Sequence, residues 1–340
     1  MKRSIAVPMT ALITAFVLFP AAHAQTTLNV SMWVPPQHVL YKDMTAPFAA
    51  DVEKATSGRV KFNFLAKGVG SPAAHLDAIR DDLAQLTFIV HGYTPGRFAL
   101  TKIAEMPLLS DSSELASVAY QRVHERHLAA ADEHQGVKLL SVFAITPAYI
   151  FTGRKPVKSL ADLQGLKIRV PGGVSSSIME ALGAVSLVKP APEMYELLRG
   201  GIIDGVLLQT EGYVLFNLQN LIRHATLVPG GFNNTSFAVI MNRAAYERLS
   251  AADRAAIDKL SGEALARRAG EAEDRISRFG REQMVKDNVS FQEADASLAG
   301  KLRAVTPEIE RAWFAEAAAK KVDGARALND LRSELRALAR

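Results

Sequence analysis

The chain has 340 residues, 49% hydrophobic and 22% charged, which is long enough for two domains and too apolar for a disordered segment. It holds no cysteine, which excludes a disulfide framework, a thiolate nucleophile and cysteine-ligated zinc. The formal charge of +5 is mild and the basic residues are interleaved with acids, which argues against nucleic acid as a partner.

Lys2 and Arg3 precede an apolar run at 11–19, and Ala22-His23-Ala24 stands before Gln25. A positive start, a short apolar core and an A-x-A site predict a secretory signal peptide over 1–24, cleaved after Ala24. The apolar run is well short of the roughly 20 residues a spanning helix needs. The expected product is periplasmic.

Residues 28–33 read as a strand that Pro35 and Pro36 break. A helix follows over 41–56, with Phe48, Val52 and Ala55 on one face and Ser57-Gly58 as its stop. A second strand alternates over 60–65, a loop occupies 68–72, and 75–83 is helical. The short apolar run 86–90, bounded by His91-Gly92, reads as a buried strand. A long helix is expected over 112–134 and a strand over 138–143. The rhythm then repeats: strand 166–170, helix 175–182, strand 185–188, a helix from Pro192 to the Gly200-Gly201 pair, and strand 202–208. From 251 to 287 the pattern is one charged helix marked by Ile257, Leu260, Leu265 and Ile276, which Gly262, Gly270 and Gly280 weaken without stopping. Such repetition predicts an α/β fold with largely parallel sheets.

In the stretch LKIRVPG, residues 166–172, Leu166, Ile168 and Val170 alternate with Lys167 and Arg169 before Pro171-Gly172 ends the run. Ligands of open parallel sheets bind beyond the carboxyl ends of the strands, and Arg169 sits at such an end. The Gly172-Gly173 loop permits close backbone approach, and the helix beginning near Ser175 presents free N–H groups and its dipole to an anion. A guanidinium fork matches a carboxylate. A surface arginine on an edge strand is the competing reading.

The run Leu163-Gln164-Gly165-Leu166-Lys167-Ile168-Arg169-Val170-Pro171 is followed by Leu182-Gly183-Ala184. Then comes Glu193-Met194-Tyr195-Glu196-Leu197-Leu198-Arg199-Gly200-Gly201-Ile202-Ile203-Asp204-Gly205. In this order and spacing they resemble the signature of TRAP transporter substrate-binding proteins of the DctP type. Phe237-Ala238-Val239-Ile240-Met241-Asn242 and Leu249-Ser250-Ala251-Ala252-Asp253-Arg254 extend the resemblance downstream. Thr94-Pro95-Gly96-Arg97-Phe98 and Met106-Pro107-Leu108 extend it upstream, so that it covers roughly 28–290. The resemblance implies a two-domain α/β fold of the periplasmic-binding-protein (Venus flytrap) kind, with a long C-terminal helix spanning both domains. The expected division is 25–146 with about 235–272, against 147–234 with about 273–340. It further implies an extracytoplasmic protein that closes on a small organic acid, pairs the acid's carboxylate with Arg169 and hands it to membrane permease subunits, with no cofactor and no ATP site.

The chain departs from the sialic-acid branch of that family. Tyr149 stands about where a second arginine falls and Leu208 near an asparagine, aromatic and apolar substitutions that point to a smaller or less polar acid; Gln85 stands where an acid is usual, with Asp81 and Asp82 just upstream. Trp33 and His38 after the first strand, His91 and Tyr93 after the third, Tyr149, Gln209, and Phe232 with Asn233 on the return crossing complete the candidate ligand-binding set. Asp204 reads as a turn residue. His124, His127 and His134 share a helix face, yet their spacing is not H-E-x-x-H and the segment is charged, so a solvated face is expected and no metal site. Ser175, Ser176 and Ser177 lack the G-x-S-x-G elbow, and Gly68-Val69-Gly70 opens no nucleotide loop. No catalytic residue is assigned. The alternatives are an exported α/β enzyme acting on small organic acids, and a binding protein that feeds a sensor.

Overall fold

The computed structural model describes residues 25–340; the predicted signal peptide, 1–24, lies outside the described residues. In chain order the strands are β1 (Thr26–Val30), β2 (Val60–Phe64), β3 (Leu86–Val90), β4 (Val137–Ala144), β5 (Tyr149–Thr152), β6 (Lys167–Val170), β7 (Val185–Val188), β8 (Gly205–Leu208), β9 (His224–Leu227), β10 (Ser236–Asn242) and β11 (Ser290–Glu293). They form two sheets, ordered β2-β1-β3-β10-β4 and β11-β9-β5-β8-β6-β7.

Both sheets are mixed rather than largely parallel. In the first, β1 is parallel to β2 and β3, while β10 runs antiparallel between β3 and β4. In the second, β6 is parallel to β7 and β8, and β5 runs antiparallel to β8 and β9. The reversed strands are those where the chain changes sheet. It leaves β4 at Ala144 for β5 at Tyr149, and returns from β9 at Leu227 to β10 at Ser236. A strand arriving from the other sheet has no covering helix to bring it round to the parallel sense. The two crossing segments are tied to each other: the Ala148 N–H donates to Asn233 O at 2.7 Å and the Phe232 N–H to Ala148 O at 2.9 Å.

Each sheet is covered on both faces. Along β10, Phe237, Val239 and Met241 join Phe48, Val52 and Leu265 in one cluster. Ala238 and Ile240 face the other way, onto Tyr120, Val123 and Trp313. This is the two-residue period of a strand buried on both sides. In the second sheet Ile168 and Val170 pack on Ile178, Leu298 and Leu302, and Val206 and Leu208 pack on Met194, Tyr213 and Met284.

The expected single helix over 251–287 is two, Ala251–Leu260 and Glu263–Lys286. Gly262 stops it. Its φ of 60° with ψ of −133° lies in a region open essentially to glycine, and its N–H donates to Leu140 O at 2.7 Å. The second of these helices does span both sheets. Asp274 caps the helix Ser113–Val123, accepting from Ser112 Oγ and from the Ser113 and Glu114 N–H groups. Further along, Gly280 lies against Thr210 and Glu211 beyond β8. The helix Ala296–Ala319 spans as well: Leu298 and Leu302 belong to the second sheet, and Trp313 Nε1 donates to Ala99 O at 3.0 Å.

The helix Gly324–Leu338 lays Ala327, Leu328 and Leu331 on the outer cluster of the first sheet. It covers the segment that the sequence placed in solvent. His124 and His134 are buried. His127 Nε2 meets Asp330 Oδ2 at 2.7 Å, and Arg122 is held by Glu263 and Glu334. The charge pattern there is a seam between helices rather than a wet face. Among the described residues no group of three or more histidines or acids is placed to hold a metal ion, and no helix is long and apolar enough to cross a membrane.

Candidate functional site

Strand β6 lies between β8 and β7, so Arg169 is not an edge arginine. Ile168 and Val170 face the cluster of helix Val174–Ala181, and the alternation turns Arg169 to the opposite face, toward the first sheet. The side chain is 2% exposed. Its Nε donates to Lys189 O at 2.7 Å and one terminal nitrogen to the Tyr93 hydroxyl at 3.4 Å. Among the described residues no carboxylate forms an ion pair with it, and burial lowers its pKa against the opposing effect of Tyr93 and Glu193. A buried guanidinium without an anion is energetically costly, since the desolvation of the charge is not repaid.

Arg169 forms one wall of a cavity between the sheets, about 50 Å³ in volume. Trp33, His38, Tyr93 and Gln209 line it with Arg169, and Leu208, Leu215, Phe216 and Phe237 make the rest of the wall mainly apolar. Trp33 Nε1 is used by Phe88 O at 3.0 Å, so the indole offers the cavity a ring rather than a donor. Burial pushes the His38 pKa down to about 4. The neutral ring accepts from the Leu40 N–H through Nδ1 at 3.2 Å, which puts its proton on Nε2. Gln209 Nε2 donates to Thr235 Oγ1 at 3.0 Å. An apolar wall with a few placed polar groups is the usual form of a small-molecule site.

The other candidates lie outside this wall. His91 is buried in the first sheet's own packing, with Nδ1 at 2.7 Å from Ser236 Oγ and Nε2 at 2.9 Å from His134 Nε2. Tyr149 packs at the margin of the second sheet's cluster, and burial raises its pKa to about 12. Phe232 is core, and Asn233 Nδ2 donates to Ser175 Oγ at 3.0 Å and to Asn234 O at 2.7 Å.

The start of helix Val174–Ala181 is not open to a ligand anion either. Glu105, from the first sheet's side, accepts the Val174 N–H at 2.9 Å. A protein carboxyl already occupies the place that the helix offers to an anion.

The two sides touch across the site. The Tyr93 hydroxyl accepts the Ala191 N–H at 2.8 Å. The loop at Gly92 approaches the loop at Pro171-Gly172 so closely that a Cβ on Gly92 would stand 2.7 Å from Pro171 O.

Two wall residues escaped the sequence reading. Glu211, after β8, and Glu273, on helix Glu263–Lys286, are 4% and 2% exposed. They are 62 positions apart, so no local motif joins them. The signal that could have found Glu273 is its place four residues after Ala269, on the helix's buried side.

Residues 30–316 match the family described as bacterial extracellular solute-binding protein, family 7. A TRAP periplasmic solute-binding protein from Bordetella bronchiseptica, solved with bound (R)-mandelate and (S)-mandelate, superposes with a TM-score of 0.90 at 43% identity, over 92% of this chain and 99% of that one. A marine metagenome TRAP solute-binding protein specific for aromatic acid ligands, in complex with 3-hydroxybenzoate, has a TM-score of 0.84 at 28% identity, over 92% of this chain and 98% of that one. The outer membrane transporter protein TsaT of Comamonas testosteroni is 28% identical over 95% of this chain and 96% of its own length.

Proposed function

Because the chain belongs to bacterial extracellular solute-binding protein family 7, we propose that it captures a small aromatic carboxylate between its two sheets and delivers it to the membrane permease subunits of a TRAP-type uptake system. The observation that carries this reading is the buried Arg169 guanidinium, which forms no ion pair with any carboxylate among the described residues. A ligand carboxylate supplies the missing charge, and the aromatic and apolar wall takes the rest of the molecule. The ligands of the Bordetella and metagenome relatives are aromatic acids of this kind. The role is binding and release without turnover, in the periplasm, after cleavage at Ala24.

The sheets act as lobes in this scheme, divided as the sequence suggests, with the final helix joining the first lobe on which it packs. Contacts from both lobes favour the closed form, since a ligand shifts an equilibrium only by its differential affinity. Gly92→Ala tests the closure directly. The added methyl group meets a backbone carbonyl of the other lobe, so ligand affinity falls by about tenfold or more while the unliganded melting temperature changes little. Equal affinity in the variant would mean that the Gly92 contact plays no part in the bound state.

The ligand class is tested by thermal shift of residues 25–340 against mandelate, 3-hydroxybenzoate, succinate, pyruvate and glucuronate. A ligand at about 100 times its Kd adds about 2.7 kcal/mol, a shift of several degrees. The aromatic acids raise the midpoint and the others do not. A shift by succinate or glucuronate alone overturns the aromatic assignment, and no shift by any acid overturns the carboxylate reading.

A further inference from the structure

The Arg169 guanidinium serves only one part of the cavity. Glu211 and Glu273 belong to the same wall, and they lie within hydrogen-bonding reach of each other. Thr146 Oγ1 donates to Glu211 Oε2 at 3.1 Å. Glu273 Oε2 is buried and has no hydrogen-bond partner among the described residues. The further charge felt by both is Asp274, another acid, and among the described residues no cation is paired with either carboxyl. Two carboxyls in that setting cannot both ionise, and burial raises the pKa of each. The two carboxyls share a proton between them and Glu211 already accepts from Thr146, so Glu273 Oε2 is the oxygen of the pair left without a partner among the described residues and open to a ligand group.

Such a pair suits a neutral group that both donates and accepts, which describes a hydroxyl. It repels a second carboxylate, which would bring a further negative charge against oxygens with no cation paired to them among the described residues. We propose that Glu211 and Glu273 form a second polar subsite that takes a hydroxyl group of the bound acid and rejects a second carboxylate. The proposal rests on the reading of Arg169 as the carboxylate anchor. The ligand it describes is a hydroxylated aromatic monocarboxylate rather than a plain one or a diacid.

Isothermal titration of residues 25–340 with 3-hydroxybenzoate, benzoate and isophthalate tests it. The hydroxylated acid binds about tenfold or more tighter than benzoate, because a site that bonds a hydroxyl discriminates against the analogue that lacks it. Isophthalate binds more weakly than either. In Glu273→Leu the preference for the hydroxyl collapses toward equality. Glu273→Gln, which keeps a donor and an acceptor, retains most of the preference and controls for folding. Equal binding of benzoate and 3-hydroxybenzoate by the unaltered protein removes the subsite and leaves the Arg169 reading intact, as does a preference that survives Glu273→Leu. Isophthalate binding as tightly as 3-hydroxybenzoate overturns the rejection of diacids. Failure of all three acids to bind overturns the Arg169 reading and the subsite with it.

Discussion

Arg169→Ala abolishes binding of the acid and leaves the protein folded. The guanidinium is 2% exposed and forms no ion pair within the described residues, so the ligand carboxylate is its natural counter-charge. Truncating one partner of a buried, hydrogen-bonded charge pair costs about 3–5 kcal/mol. At about 1.4 kcal/mol per decade that is roughly 10²–10³-fold in Kd or more. The unliganded protein behaves differently. Its Arg169 makes two hydrogen bonds, to Lys189 O and the Tyr93 hydroxyl, and carries an unpaired charge. Losing the bonds destabilises, and losing the buried charge offsets part of that loss. The melting temperature without ligand therefore moves far less than the affinity does. Arg169→Lys does not rescue fully, because an ammonium cannot hold Lys189 O and present a planar fork to a carboxylate together. Titration calorimetry with a melting curve for each variant reads both effects. An affinity within threefold of the unaltered protein would remove Arg169 from the site.

The strand rhythm and the position of Arg169 were legible because both rest on local periodicity, with a Pro-Gly stop to mark the strand's end. Trp33, His38, Tyr93 and Gln209 also follow strands, and they line the cavity. The same rule says nothing about which way a side chain turns within a tight loop. His91 and Tyr93 are two positions apart on one turn, yet one bonds to Ser236 and His134 inside the first sheet and the other reaches Arg169. Gly262 and Gly270 look alike in sequence. Only the first takes a φ of 60° and ends a helix, because the Leu140 carbonyl draws its N–H away. The charges at Arg122, Arg126 and His127 pair with a helix some 200 residues further on, which local reading assigns to water.

Stability is greatest in mildly acidic solution, with a maximum between about pH 5 and 6.5, and falls on both sides for different reasons. Burial holds the pKa of His38 and His124 at about 4 and His91 at about 3, and that of His134 well below its usual value. In the unfolded chain these rings protonate below about 6.5. Between that pH and the folded values the unfolded state binds more protons, so each histidine withdraws about 1.4 kcal/mol of stability per unit of acidification. The buried glutamates have the opposite sign. Burial raises Glu105 and Glu211 to about 7 and Glu273 well above its usual value. From about 4.5 upward the unfolded chain has released those protons and the folded protein still holds them, so stability falls as pH rises toward 7 and beyond. Between about 4.5 and 6.5 the two sets nearly cancel. Below that window the histidines are joined by Asp258, Glu263 and Glu334, whose cationic partners hold their pKa values down, and the decline with acid is steep; above it the buried glutamates dominate. Urea midpoints at pH 4, 5.5 and 7.5 trace this shape, with the highest at 5.5. Glu211→Gln flattens the alkaline limb, since it removes an acid that the folded protein must keep protonated beside Glu273. A protein more stable at pH 7.5 than at 5.5 would show that these carboxyls ionise in the folded state at little cost, against the burial that raises all three.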